Sequence, residues 1–159
     1  MSYQTSTSST QIYQLNKLDK GYSFVTTNGI EYTTYFLSGA DYISNQPFSH
    51  LISVFGFASN YQGKCNYDPN IESTIIFLLK DFLKDNHNIL LFSCDQKDSR
   101  QRHGKIVFNK WFNNNKNGSY VKHDICIEDT LYISLIFKTD NPFEKEIVKS
   151  KELLENDMK

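Results

Sequence analysis

Two alternating segments around an Asn-Gly pair constrain the fold more than any other feature of this sequence. The segments, Tyr22–Thr26 and Ile30–Phe36, are rich in aromatic and β-branched residues and alternate with a period of two. Between them, Asn28 and Gly29 supply the positive φ angles that a tight hairpin turn needs. This part of the chain is therefore predicted to be an antiparallel hairpin, and the domain that contains it must hold a sheet.

The rest of the chain alternates between strand and helix patterns. In order, the predicted elements are a strand, a helix, a strand, a helix, two strands and a helix: His50–Ala58, Asp68–Asp85, Ile89–Ser93, Arg100–Asn113, Tyr120–Ile127, Leu131–Phe137 and from Asp140 onward. The fold class is α+β, with a mixed, largely antiparallel sheet, flanking helices and the order β-β-β-α-β-α-β-β-α. Residues 1–20 are expected to be a disordered or irregular lead, and residues 21–159 a single domain.

Two of these elements are specified in more detail. Asp68 is the predicted N-cap of its helix, with Pro69 in the first helical position and Glu72 in the first turn, where the helix dipole favours a carboxylate. The strand Ile89–Ser93 is apolar on both faces, which predicts a central position covered on both sides.

Composition excludes several classes of protein. A net charge of -1 gives no field that would attract nucleic acid or an anionic membrane, so neither partner is expected. The three cysteines, Cys65, Cys94 and Cys126, are odd in number and widely spaced, which argues against disulfides and zinc and favours a reducing cytoplasm. The histidines show no metal-binding spacing. No apolar run is long enough to span a bilayer.

A polar turn follows the central strand and is the best candidate site. Its ligand-binding candidates are Asp95, Asp98, Arg100, Arg102 and His103, flanked by Cys94 and Lys105. Open α/β sheets bind ligands at the carboxyl ends of strands, and an Asp–Arg pair could orient a carboxylate or phosphate there. The same aspartates would equally serve as turn and helix caps, with the arginines paired or solvated, and this interpretation is favoured. No catalytic residue is assigned.

The order of elements resembles the core of the GNAT acyltransferases, which bind acetyl-CoA. The resemblance covers about Tyr22–Phe137 and includes a loop, Tyr61–Lys64, before a helix and an aromatic-rich segment, Val107–Phe112. It implies cofactor-binding candidates Gln62, Gly63 and Lys64. A fuller string, from Cys94 and Asp95 through Trp111 and Phe112, with Thr26, Gly29 and Tyr32 upstream, is similar to an uncharacterised bacterial family of unknown function. That second resemblance implies no activity.

Three departures from the GNAT pattern argue against acyl transfer. The loop offers Gly63 but no second glycine, and Asp68 and Glu72 place carboxylates where the pyrophosphate would sit. Phe108 falls near the position of the general-acid tyrosine and has no proton to give. We therefore expect a non-catalytic binding or association module with an unknown ligand or protein partner and no cofactor.

Two further expectations concern an alternative function and the oligomeric state. The alternative function is a divergent acyl-CoA-dependent N-acyltransferase or a small-ligand enzyme that uses the Asp95–Lys105 turn, and acetyl-CoA is expected only in that case. A homodimer is also expected, because the predicted meander leaves an edge strand that needs cover.

Overall fold

The structure, a computed structural model, describes residues 11–61, 68–95, 109–110, 112–113, 118–127 and 131–157. Its strands are β1 Asn16–Leu18, β2 Gly21–Val25, β3 Glu31–Ser38, β4 Ile52–Ser59, β5 Ile89–Asp95, β6 Tyr120–Ile127 and β7 Leu131–Lys138. Its α-helices are α1 Pro69–Phe82 and α2 Glu144–Asp157, with a 3-10 turn at Ser49–Leu51. Four further residues, Asn109, Lys110, Phe112 and Asn113, are helical within the predicted segment Arg100–Asn113.

The described strands form a seven-stranded mixed sheet in the order β1-β2-β3-β4-β5-β7-β6. β4 and β5 are parallel, with Ile52 opposite Ile89 and Val54 opposite Leu91. The pairs β1–β2, β2–β3, β5–β7 and β6–β7 are antiparallel. The predicted α+β class with a largely antiparallel sheet is confirmed.

The predicted hairpin forms, with a different turn. The N–H of Thr26 donates to Ile30 O at 2.9 Å, and the N–H of Gly29 donates to Thr26 O at 2.9 Å. Gly29 has φ +80°. Asn28 does not have a positive φ, because Asn45 is the one described non-glycine residue that does. The loop therefore has three residues and ends in a left-handed glycine, instead of two central residues that both need positive φ.

The first compact unit comprises the described parts of Met1–Tyr35 and Phe57–Asp81. Its buried side chains include Phe24 on β2 and the predicted apolar stripe of α1, with Ile75 at 0% and Leu78 at 3% exposure. β1 pairs with β2 and was not predicted, because its three exposed residues carry no alternating pattern.

The second unit comprises the described parts of Phe36–Gly56 and Phe82–Lys159. Its core cluster is Ile43, Phe48, Ile52, Ile89, Leu91, Ile125, Ile133, Leu135, Phe137 and Ile147. β5 is buried on both faces, as predicted, and lies between β4 and β7. β7 buries the predicted alternating face and also Ser134 and Ile136 on the other. Both faces of this part of the sheet are therefore covered.

The end of α1 and the start of α2 differ slightly from the predicted bounds. α1 stops at Phe82, and Asp85 Oδ1 then accepts the N–H of His87 at 3.0 Å, an Asx-type turn that competes with further helix. α2 begins at Glu144, two residues beyond Pro142, after Asn141 Oδ1 has accepted the N–H of Phe143 at 2.7 Å.

Candidate functional site

The predicted polar turn is described only at its first residue. Asp95 ends β5 and lies opposite Leu131 of β7, at the carboxyl end of a central strand. The other candidates lie outside the described residues: Asp98, Arg100, Arg102 and His103. The ligand site at this turn therefore stays a prediction.

The start of α1 is the best-defined polar site in the first unit. Asp68 is its N-cap, as predicted, because Asp68 Oδ1 accepts the N–H of Asn70 at 2.9 Å while Pro69 is the first helical residue. Glu72 adds a second carboxylate in the first turn. The implied cofactor-binding residues just before this helix, Gln62, Gly63 and Lys64, lie outside the described residues.

A short N-terminal segment, Gln11–Tyr13, is bound along the first turns of α1, and we call it the N-terminal strap. The N–H of Gln11 donates to Asn70 Oδ1 at 3.0 Å, and the N–H of Tyr13 donates to Thr74 Oγ1 at 2.9 Å. Thr74 is 0% exposed and donates in turn to Asn70 O at 2.6 Å. The strap is thus hydrogen-bonded to two successive side chains of one helix face.

The Tyr13 side chain is hydrogen-bonded to the N-cap residue of α1. Its hydroxyl donates to Asp68 Oδ2, and the N–H of Thr27 donates to the phenol oxygen at 3.3 Å. The ring stacks on Phe24 with centroids 5.7 Å apart, and Phe24 stacks on Tyr32 at 5.3 Å. Both oxygens of Asp68 therefore have donors from within the chain, Oδ1 from the helix and Oδ2 from the strap.

A second polar cluster joins β6 and β7 in the other unit. Asp124 Oδ1 accepts from Ser134 Oγ at 2.6 Å and from Lys122 Nζ at 2.5 Å. Ser134 is 2% exposed, so its hydroxyl needs this bond, whereas the Asp124 side chain remains 50% exposed. The cluster holds a half-exposed carboxylate in a fixed orientation at one face of the sheet.

Two of the three cysteines share a sheet row. Cys94 on β5 and Cys126 on β6 both lie opposite Tyr132 of β7, which places them two strands apart. Because neighbouring strands are about 5 Å apart, their Cα atoms are roughly 10 Å apart, beyond the reach of a disulfide. Cys126 is a half-buried free thiol, and Cys65 lies outside the described residues.

His123 on β6 is a titratable group with no metal-binding spacing to the other histidines in the sequence. Its ring stacks on Phe137 at 5.7 Å, and its buried Nε2 has no hydrogen-bond partner among the described residues. Burial lowers the pKa of His123 below 6.5, and the charge of Lys151 lowers it further, while Glu144 and Asp124 oppose the shift. The structure therefore favours the neutral imidazole.

Stability is expected to fall on acidification through the titration of His123. Since its pKa is lower in the folded state than the unfolded value of 6.5, the unfolded chain takes up the proton first. The stabilisation is present above pH 6.5 and is lost as the pH falls through the folded pKa. Urea unfolding across this range should show a smaller loss for His123→Phe, which keeps an aromatic ring beside Phe137. Equal losses in the variant and the wild type would contradict this assignment.

The comparisons with known proteins identify a family. Residues 67–152, more than half of the chain, match a family described as a family of unknown function, DUF6169. The chain belongs to this family. No curated protein matches the chain. The expected membership of an uncharacterised family is confirmed, and its bacterial origin stays a prediction.

The polar site at the start of α1 lies partly inside and partly outside the range that matches DUF6169. Asp68, Asn70 and Thr74 lie inside the matched range, whereas Tyr13 lies outside it. The elements β5, β6, β7 and the polar cluster at Asp124 also lie inside the match. The strap thus adds to the DUF6169 region a contact that the matched residues do not themselves contain.

Metal-binding clusters and membrane-spanning helices were both sought among the described residues. Within the described ranges, no group of three His, Cys, Asp or Glu residues is arranged to hold a metal ion. No described helix combines the length and apolar character needed to cross a bilayer.

Proposed function

We propose that this member of DUF6169 is a GNAT-like protein that acts by binding or association and does not transfer acyl groups. The strand order supports the GNAT-like part of the proposal. An antiparallel meander leads to a β4-α1-β5 crossover in which the two strands are parallel, the arrangement that the resemblance implies. The proposal names a mode of action without naming a ligand or protein partner. The proposed location is the cytoplasm.

The Asp68 carboxylate at the start of α1 supports the non-catalytic part of the proposal. A GNAT-type site would hold a pyrophosphate on the free N–H groups at this helix end. Here Asp68 accepts the N–H of Asn70 and is itself held by Tyr13. An anion about 4 Å from the Asp68 carboxylate would be repelled by roughly 4 kcal/mol per charge pair near a protein surface. The helix dipole returns about 2 kcal/mol at most, so repulsion prevails.

Acetyl-CoA is therefore expected to leave the melting temperature of the chain unchanged. A ligand present at a hundred times its Kd would stabilise the folded state by about 2.7 kcal/mol, or a rise of roughly 5–10 °C for a chain of this size. Differential scanning fluorimetry with acetyl-CoA and with inorganic pyrophosphate measures this directly. A coenzyme A-dependent acyltransferase in the same titration serves as the positive control.

The outcome that contradicts the proposal is a saturable rise with acetyl-CoA. A saturable rise that coenzyme A alone also produces would place the ligand in a nucleotide site and favour the acyltransferase alternative. A response that stays linear in ligand concentration indicates a nonspecific effect and leaves the proposal standing.

A further inference from the structure

We propose that β6 pairs with β6 of a second copy of the chain, giving a twofold dimer through the edge of the sheet. This deepens the proposed association role by naming the partner. β6 is the last strand in the sheet order, so the described residues provide no strand on its outer side. With eight residues, it is longer than a typical strand and presents a substantial edge.

The register of β6 against β7 fixes which main-chain groups face outward. The N–H of Thr139 donates to Ser119 O at 3.0 Å, so this pair is a hydrogen-bonded pair of the antiparallel ladder. Because such pairs alternate along the ladder, odd-numbered residues of β6 bond to β7. The main-chain groups of even-numbered residues, including Tyr120, Lys122 and Cys126, are directed to the outer edge.

Charge selects one register for the pairing. A twofold axis at Lys122 would place that lysine against its own copy, and an axis at Asp124 would place two carboxylates together. An axis at His123 instead places the two His123 side chains against each other and Lys122 of each copy opposite Asp124 of the other, and even residues still pair with even residues. Opposite charges stabilise a cross-strand pair and like charges destabilise it, so the register centred on His123 is favoured.

The charged face of β6 fits this register. Asp124 is half exposed, and its Oδ1 accepts from Ser134 of β7 and from Lys122 of the same chain, whose side chain is 13% exposed. The four charges of two copies would then alternate in sign as a network, which stabilises more than an isolated surface pair. On the other face, the register places the half-buried Val121 opposite Ile125 of the second copy, and no stabilisation is counted there because Ile125 is already fully buried in its own chain.

Charge reversal tests the register, with complementation as the decisive measurement. Lys122→Asp makes the paired positions all acidic and Asp124→Lys makes them all basic, so each variant repels its own copy. Sedimentation equilibrium should show the wild type at twice the 18.5 kDa chain mass, and each variant with a dimer dissociation constant raised about tenfold or more. An equimolar mixture of the two variants should recover the dimer. Loss of a pair within one chain cannot explain that recovery.

Matched variants separate pairing from folding. Lys149→Asp changes the same charge at an exposed position of α2 and should leave the dimer unchanged. Tyr120→Pro removes an outward-facing N–H and spares the bonds to β7, so it should weaken the dimer if Asp124→Lys fails to fold. A wild type that stays monomeric up to millimolar concentration, or folded charge variants whose mixture stays monomeric, would overturn the proposal. Neither result bears on the acetyl-CoA titration, so the two proposals fail separately.

Discussion

Phe137→Ala is expected to lower the free energy of unfolding by about 3–5 kcal/mol. Phe137 is 0% exposed and belongs to the core cluster of the second unit, where its ring also contacts His123. Removing the ring loses the burial of its apolar surface and leaves a cavity. β7 cannot move to close this cavity, because strand pairing on both sides fixes its backbone. Folded domains are stable by only about 5–15 kcal/mol, so the loss is a large share of the total.

Urea unfolding of the wild type and of Phe137→Ala measures this loss. Phe77→Ala provides the matched control, since it makes the same substitution at a phenylalanine of α1 that is 43% exposed. The control is expected to change stability by less than about 1 kcal/mol. Similar losses for the two variants would mean that Phe137 does not fill a packed core.

The elements that the sequence predicted well are those whose burial leaves a local pattern. The alternation of Leu131, Ile133, Leu135 and Phe137 predicted both the strand and the face that the structure buries. The unbroken apolar run of β5 predicted its central place, and with it the position of Asp95 at a carboxyl end between two other strands. In each case the signal and the structure concern residues within one element.

The contacts that the sequence did not predict join residues far apart in the chain. Tyr13 meets Asp68 across 55 positions, and nothing in the polar N-terminal segment marks that tyrosine as part of a helix cap. Ser134 meets Asp124 across the β6–β7 ladder, where their pairing depends on register and not on either local pattern. The cap at Asp68 was predictable from the sequence, whereas the strap that completes it was not.

These nonlocal contacts change the argument about function. From sequence, Asp68 at the start of α1 was one of three departures from an acyltransferase pattern, together with the missing second glycine and Phe108. The structure adds that the carboxylate has donors on both oxygens, so displacing it for an anion would break a helix cap and a phenol bond together. Hydrogen bonds to a charged group are each worth about 1.5–3 kcal/mol. An anion at this helix end therefore meets either the repulsion of the carboxylate in place or the cost of these bonds when the carboxylate moves away.

Gly21→Ala is expected to destabilise the first unit by about 3 kcal/mol or more, at the upper end of the cost of overpacking. A Cβ built at Gly21 would lie 1.9 Å from Thr34 O, 2.7 Å from Thr34 C and 2.8 Å from Tyr35 Cα. All three atoms are main chain of β3, which pairs with β2 through this same position, so no side-chain rotation can relieve the clash. The two strands would have to separate or shift.

Gly29→Ala is the matched comparison for this effect. Gly29 has open space around its Cα, and a side chain there would meet nothing within 4 Å, but its φ of +80° disfavours any other residue. That conformational cost is about 1–2 kcal/mol. Thermal unfolding should therefore give Gly21→Ala a clearly lower melting temperature than Gly29→Ala. This order is expected although Gly29 is the glycine of the Asn-Gly turn sequence. If Gly21→Ala unfolds at the same temperature as Gly29→Ala or above it, the close approach of β2 and β3 at this position is wrong.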